Sequence, residues 1–353
     1  MQNSQSEVIF SKIPAKYGAI GVITLNRPQA LNALSKNMIE AINTHLQAWA
    51  VDPTILLVVI KATGERAFCA GGDLKFLYHN RGTAVADAVP FFRTEYNLNL
   101  IIHQYPKPYV ALLDGITMGG GVGLSIHGQR RIASEYLQLA MPETALGLYP
   151  DIGAAYFLSR CPQQLGMYLA LTGNTIGIAD ALLCKLVDAF VPRASLPAII
   201  PDLSSQDLRV RPLEITDAII SKYQTTPTAA PLMEHLDVIQ TCFAKDSVEA
   251  IIKSLQQHDS AWAKQQAAIL ATRSPTSLKV TFKNLILGTN RTIQECLEQD
   301  LNLTAHLAQQ HDIFEGIRAK LIDKTNDPLW HPATLAAVSD AFIDKIFQIQ
   351  WPL

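Results

Sequence analysis

The sequence predicts a mixed α/β core followed by a helical C-terminal region. Short β-rich apolar runs alternate with helical periodicity up to about residue 190, two glycine-rich turns each follow strand-like sequence, and the pattern beyond Leu232 is mostly helical. At 353 residues, 48% hydrophobic and 17% charged, the chain can bury a full-sized core and is not a disordered one. This predicts an α/β domain over residues 1–200 and a helical region over residues 201–353.

Residues 20–25 read as a strand, ended by Asn26-Arg27-Pro28. Behind Ser35, a candidate N-cap, Met38, Ile39, Ile42, Leu46 and Trp49 recur at helical spacing. The continuous apolar run at residues 56–60 has strand length and suits a strand covered on both faces. Residues 109–113 form another such run and lead into Asp114-Gly115. Past residue 190, Pro192, Pro197, Pro201 and Pro212 interrupt the chain, and residues 225–231 read as a connector. Leu297, Leu301, Leu303, Ala305 and Leu307 then follow helical periodicity.

The net charge of −2 gives no footprint for nucleic acid or an anionic membrane, and no apolar run is long enough to span a bilayer. Five scattered cysteines without a C-x-x-C pair predict a reducing compartment. The first seven residues lack an Arg-rich amphipathic pattern and an apolar signal core, so a cytoplasmic protein is expected. Histidine spacing gives no metal signal: His306 and His311 are five apart and no H-E-x-x-H occurs.

Gly119, Gly120, Gly121 and Gly123 sit at a strand-to-helix transition, where glycine is costly without a reason. Close helix–sheet packing is one reason, and backbone N–H groups approaching a ligand is the other. The spacing fits neither a dinucleotide fingerprint nor a phosphate loop, and Gly123-Leu124-Ser125-Ile126-His127 is not a nucleophile elbow. Ser125 and His127 are two apart and would point to different sides of a helix. The other turn, Ala70-Gly71-Gly72-Asp73, also follows strand-like sequence. Two glycine turns that each aim one N–H at the same oxygen make a minimal oxyanion hole for a thioester carbonyl. Cys69 abuts that turn and reads as packing, with no histidine placed to activate it.

Glu143 and Asp151 lie in a stretch from Arg131 to Arg160 without intervening Lys or Arg. Each is either a turn or cap residue, with Asp151 placed to cap a helix, or a carboxylate kept in apolar surroundings for chemistry. Glu95 shares a helical face with Phe91, Phe92, Leu98 and Ile102, where a carboxylate is expensive unless paired or used.

Together, residues 25–34 (Leu-Asn-Arg-Pro-Gln-Ala-Leu-Asn-Ala-Leu), residues 67–74 (Ala-Phe-Cys-Ala-Gly-Gly-Asp-Leu) and residues 115–121 (Gly-Ile-Thr-Met-Gly-Gly-Gly) resemble the enoyl-CoA hydratase/isomerase (crotonase) superfamily. The resemblance implies a crotonase fold of stacked ββα turns and an oxyanion hole from the N–H groups of Gly72 and Gly120. It also implies CoA held along the segment containing Ala30 and Leu31 and the turn containing Ala70. Within the superfamily the likeness is to the 3-hydroxyisobutyryl-CoA hydrolases. Residues 118–128, 140–144 and 147–153 carry it, as do residues 274–279 and 314–324.

Hydratases of the superfamily use two glutamates, one matching Glu143 and one just after the glycine run, where this chain has Gly123. Losing one of two acid/base groups argues against hydration of a C=C bond. Asp151 stands where hydratases usually carry glycine, although dienoyl-CoA isomerases have an acidic residue at a matching place. The resemblance thus implies hydrolysis of a short 3-hydroxyacyl-CoA, foremost 3-hydroxyisobutyryl-CoA, as in valine degradation. Glu143 and Asp151 would be catalytic, Glu143 either activating water or attacking directly to form an anhydride, and Asp151 shuttling the proton to the leaving thiolate. Asp151 and Glu95 would orient the substrate hydroxyl, and no cofactor would be needed beyond the CoA of the substrate. An isomerase or hydratase on the same fold and a silent acyl-CoA-binding scaffold are the alternatives. Crotonase-type C-terminal helices often mediate trimers, which leaves homo-oligomerisation open for this longer tail.

Overall fold

The computed structural model describes residues 6–79, 84–348 and 353. Its contacts divide the chain into two compact units. One comprises Met1–Gly72, Asn97–Leu139 and Ile176–Ala230, and the other Asp73–Tyr96, Ala140–Thr175 and Pro231–Leu353. The units interleave along the sequence, so neither coincides with the sequence-based division at residue 200. The connector at residues 225–231 does coincide with a boundary, because the second unit resumes at Pro231.

The first unit is built on a six-stranded sheet ordered β1-β2-β3-β5-β7-β9. Its strands are β1 (Val8–Ala15), β2 (Gly18–Leu25), β3 (Ile55–Ala62), β5 (Tyr109–Leu113), β7 (Arg130–Ala133) and β9 (Ala189–Phe190). β1 and β2 form an antiparallel hairpin in the register Val8↔Leu25 to Ala15↔Gly18, and all later pairings are parallel. The parallel strands are buried on both faces, which is why residues 56–60 and 109–113 read as unbroken apolar runs. On one face Ile20, Val22, Leu57, Val59, Val110 and Leu112, two apart along each strand, meet Leu196, Ile199 and Leu203 of the Leu196–Ser204 helix and Ile219 and Ile220 of the Pro212–Tyr223 helix. The Lys36–Val51 helix starts where Ser35 accepts from the Met38 N–H at 3.2 Å and buries the five residues picked out by periodicity.

A second sheet, of three strands, is ordered β4-β6-β8, with β4 at Ala67–Cys69, β6 at Ile116–Met118 and β8 at Gln138–Ala140. β4 and β6 run parallel, with Ala67 opposite Ile116 and Cys69 opposite Thr117. Each therefore delivers its glycine turn at the same end of the sheet.

The second unit is built from helices. Tyr149, Val280, Leu303, Leu307, Val338, Ile343 and Ile346 form one of its cores. The Ile293–Leu307 helix begins with a reciprocal capping box between Thr292 and Glu295. It is buried on almost every side, including Gln299, Asp300, Asn302 and Thr304. The helix Ala84–His103 starts in the second unit and ends in the first.

Candidate active site

In the first unit the two glycine turns are pressed together. A Cβ on Gly121 would stand 2.2 Å from the Cys69 carbonyl oxygen and 2.8 Å from the Cys69 Cβ, so only glycine permits this approach. Gly71 has φ +104, and a Cβ there would lie 3.2 Å from the Met118 carbonyl oxygen and 3.7 Å from the Gly120 nitrogen. Packing and ligand approach, posed as alternatives for the glycines, thus coexist: Gly121 serves packing and leaves the neighbouring N–H groups at the turn. Gly120 is the first residue of the helix Gly120–Ile126, a position whose N–H has no intrahelical acceptor. Gly72 pairs in parallel with Leu34 through the Leu34 N–H and the Gly71 carbonyl (2.8 Å), a pattern that leaves the Gly72 N–H outside the pairing.

The segment with Ala30 and Leu31 lies along the same turn. The Ala70 N–H donates to the Leu31 carbonyl at 3.0 Å, which brings Leu31 and Ala70 together. Leu31 and Asn32 have φ of 53 and 54, an unusual pair for non-glycine residues. Asn32 holds it in place. Fully buried, it accepts from the Arg27 N–H at 2.8 Å and donates to the carbonyls of Thr63 (3.0 Å) and Ala67 (2.9 Å). The sequence reading passed over Asn32, whose signal was a polar residue between Leu31 and Leu34 in an otherwise apolar segment.

In the helix Gly120–Ile126 the Ser125 hydroxyl donates back to carbonyls of its own helix, Val122 at 2.9 Å and Gly121 at 3.3 Å. That use, with both Ser125 and His127 buried, removes the pair from the nucleophile candidates. Cys69 is fully buried, with its Sγ 3.9 Å from the Gly71 carbonyl, and acts as packing. None of the five cysteines forms a disulfide.

The second unit gathers the three singled-out carboxylates. Glu143 opens the turn of 3-10 helix Glu143–Leu146, and Glu95 lies on the Ala84–His103 helix; they are 6% and 3% exposed. Each has an oxygen, Glu143 Oε2 and Glu95 Oε1, without a hydrogen-bond partner among the described residues. Such buried oxygens are costly and point to a use outside folding. Asp151 does not cap a helix: the cap of Ala154–Leu158 is Gly153, with no side-chain bond. Its Oδ2 instead accepts from the Tyr96 hydroxyl at 2.6 Å. Tyr96 touches Thr304 Oγ1 at 2.8 Å, and Thr304 touches the Tyr149 hydroxyl at 3.1 Å. Tyr149 donates to the Asp300 carbonyl at 2.7 Å, and the Asp300 carboxylate accepts from the Gly153 N–H at 2.7 Å and from Asn284 at 3.2 Å.

Burial, and then the charge of Asp151, raises Glu143 well above the ordinary carboxylate range and Glu95 to about 8. Burial also raises Asp151, but Tyr96 donates to it and holds it at about 6. Asp151 therefore ionises before Glu95, which keeps its proton to higher pH. Burial and the charge of Asp151 raise Asp300 as well.

The stability consequence has a definite sign. A carboxyl raised in the folded protein binds a proton that the unfolded chain has released. Its stabilisation is complete below the unfolded value near 4.5 and is lost as pH rises toward about 8, in the case of Glu95. Glu95→Gln, a neutral isostere, is expected to leave Tm nearly unchanged at pH 5 and to raise it at pH 9. Scanning calorimetry at the two values checks this, and an equal effect at both would contradict it.

A model of the enoyl-CoA hydratase/isomerase family matches residues 20–347, nearly the whole chain. The chain belongs to the enoyl-CoA hydratase/isomerase family. Among curated proteins of that lineage, the mitochondrial 3-hydroxyisobutyryl-CoA hydrolase of Xenopus tropicalis is 45% identical over 337 residues, 94% of this chain and 87% of that protein. The human protein of the same name is 43% identical over 338 residues, with the same coverage of both chains. Among solved structures, a carnitinyl-CoA dehydratase from Mycobacterium thermoresistibile superposes with a TM-score of 0.89 at 36% identity, covering 97% of this chain and 96% of that one. An enoyl-CoA hydratase from Rhodobacter sphaeroides gives 0.87 at 35% identity, covering 99% and 98%. The expected crotonase fold is thereby established, with its core of stacked strand–strand–helix turns and its helical C-terminal region. Gly123 is buried inside the Gly120–Ile126 helix.

Proposed function

We infer that this chain hydrolyses a short 3-hydroxyacyl-CoA thioester, 3-hydroxyisobutyryl-CoA foremost, to the free hydroxy acid and CoA. The observation that carries this reading is Glu143, a buried carboxyl with an open oxygen whose proton affinity is raised by burial and by the charge of Asp151, in a chain with glycine at position 123. One buried carboxyl with a raised proton affinity is the equipment for activating a single water. The names of curated relatives at 41–45% identity support the same substrate.

In this mechanism the Gly72 and Gly120 N–H groups receive the thioester oxygen as it gains charge. Ionised Glu143 takes a proton from water while the water oxygen bonds to the carbonyl carbon. As the tetrahedral adduct collapses, the C–S bond breaks, and Asp151 relays the proton to the departing sulfur. Glu95 and Asp151 orient the substrate hydroxyl. Ala30, Leu31 and Ala70 line the path of the CoA moiety, which is part of the substrate, and the scheme calls for no separate cofactor. We place the reaction in a reducing compartment, with the cytoplasm as first choice, on the support of five thiols outside any disulfide; the relatives quoted above are named mitochondrial. No described helix is long and apolar enough to cross a membrane.

A second reading, hydration or dehydration of an acyl-CoA, draws on the names of the two structural neighbours. Incubation with 3-hydroxyisobutyryl-CoA and a thiol reagent separates the two. Hydrolysis is expected to liberate one CoA thiol per substrate consumed. A change in enoyl-thioester ultraviolet absorbance without thiol would favour the second reading, and silence toward a panel of short 3-hydroxyacyl-CoAs would remove the first.

A further inference from the structure

Behind the carboxylates stands a chain of hydroxyl groups that the mechanism above does not use. We propose that Tyr96 is a positioning residue for that hydrolysis: by giving its only hydroxyl hydrogen to Asp151 it holds negative charge on that carboxylate, and Thr304 fixes the direction of the donation. The proposal rests on the hydrolase reading for its kinetic test only.

Counting hydrogens assigns each bond. Tyr96 is fully buried, so its hydroxyl has only protein partners, and its one hydrogen goes to Asp151 Oδ2 at 2.6 Å. In the 2.8 Å contact with Thr304 the threonine must then donate. Tyr149 likewise gives its hydrogen to the Asp300 carbonyl. Thr304 has one hydrogen for two acceptors, Tyr96 at 2.8 Å and Tyr149 at 3.1 Å, and the shorter contact is to Tyr96. The result is a directed chain, Thr304 to Tyr96 to Asp151, in which each donation strengthens the next. It cannot serve as a path for protons leaving the site, because the Tyr149 branch ends on a backbone carbonyl. Its role is to orient.

The groups facing Asp151 explain why such a donor is needed. Glu95 comes from the Ala84–His103 helix, Glu143 from the Glu143–Leu146 turn, Tyr149 from Asp151's own segment and Asp300 from the Ile293–Leu307 helix. None of these is a cation. Tyr96 provides the side-chain hydrogen bond that opposes burial at Asp151. The Ile293–Leu307 helix thereby reaches the chemistry through Thr304, a connection that ties it to the carboxylate cluster.

The test is the pH dependence of kcat/KM for thiol release by wild type and Tyr96→Phe. The ratio of wild type to variant is expected to stay within about three-fold at pH 9 and to exceed about five-fold at pH 5.5, because Asp151 without its donor takes up a proton at higher pH. Thr304→Val is expected to move the ratio in the same direction, and Thr304→Ser to restore it. A loss equal at every pH, as a merely structural role would give, overturns the proposal, as does no loss. An activity-independent readout is the 13C carboxyl titration of Asp151, its signal assigned with Asp151→Asn. The midpoint is expected to rise by about one unit or more in Tyr96→Phe, and an unmoved midpoint overturns the proposal. If wild type releases no thiol, the hydrolase reading fails while the titration still decides what Tyr96 does.

Discussion

Glu143→Gln is expected to lower kcat for thioester hydrolysis by about 10²–10⁴-fold, the usual contribution of a positioned general base or acid. Glutamine keeps the size of the side chain and copies its protonated form, the state that burial favours at moderate pH. The variant should therefore fold normally and still bind acyl-CoA. Thiol-release kinetics measure the loss, and calorimetric titration with a short 3-hydroxyacyl-CoA measures retained binding. Because Glu143 has to ionise in a buried site next to Asp151, the same substitution removes a charging cost. Its Tm should equal that of wild type near pH 5 and exceed it at pH 9, by the linkage sign worked out for Glu95. Loss of activity with a gain in stability is the signature of a group held for chemistry against the preference of the fold. Full activity in this variant would remove Glu143 from the mechanism.

Much of this is legible in the sequence. Periodicity located the Lys36–Val51 helix and its Ser35 cap because the cap and apolar face are local features. The unbroken runs at β3 and β5 were legible because strands covered on both faces lose their polar alternation. Glycines at positions 71 and 121 marked the turns, because φ +104 at the one and the closeness of the Cys69 backbone at the other exclude a side chain. The support behind the carboxylates was not legible. Asp300 and Thr304 each fall three residues after a core leucine, Leu297 and Leu301, and polar residues at such places read from sequence as a solvated helix face. Their burial depends on partners more than a hundred residues away: Tyr96 for Thr304, and Tyr149 and Gly153 for Asp300. Tyr96, next to Glu95, carries no local signal of a polar role in an apolar helix. Only the fold turns it toward Asp151. The interleaving of the two units is illegible for the same reason, since composition changes once along the chain whereas the contacts cross back and forth.

Gly120→Pro is expected to lower kcat by about 10²–10³-fold, the effect of deleting one oxyanion donor, with KM nearly unchanged. A backbone N–H can be removed by mutation only where proline fits, and Gly120 is such a place. It is the first residue of its helix, where proline is over-represented because its φ suits the helix and its missing N–H breaks no intrahelical bond. The residue before it, Gly119, has φ 49 and ψ −124, outside the α region that proline disfavours in its predecessor, and has no Cβ to clash with the ring. The close packing at Gly121, where a Cβ would stand 2.2 Å from the Cys69 carbonyl oxygen, stays untouched. Structural damage would show as a fall in Tm or in far-ultraviolet dichroism, whereas loss of the donor should leave both close to wild type. If a well-folded Gly120→Pro hydrolyses substrate at the wild-type rate, the Gly120 N–H is not an oxyanion donor and the thioester oxygen is held elsewhere. A loss in kcat alone would instead place the developing charge at the junction of the two glycine turns, the feature that the spacing of glycines first picked out.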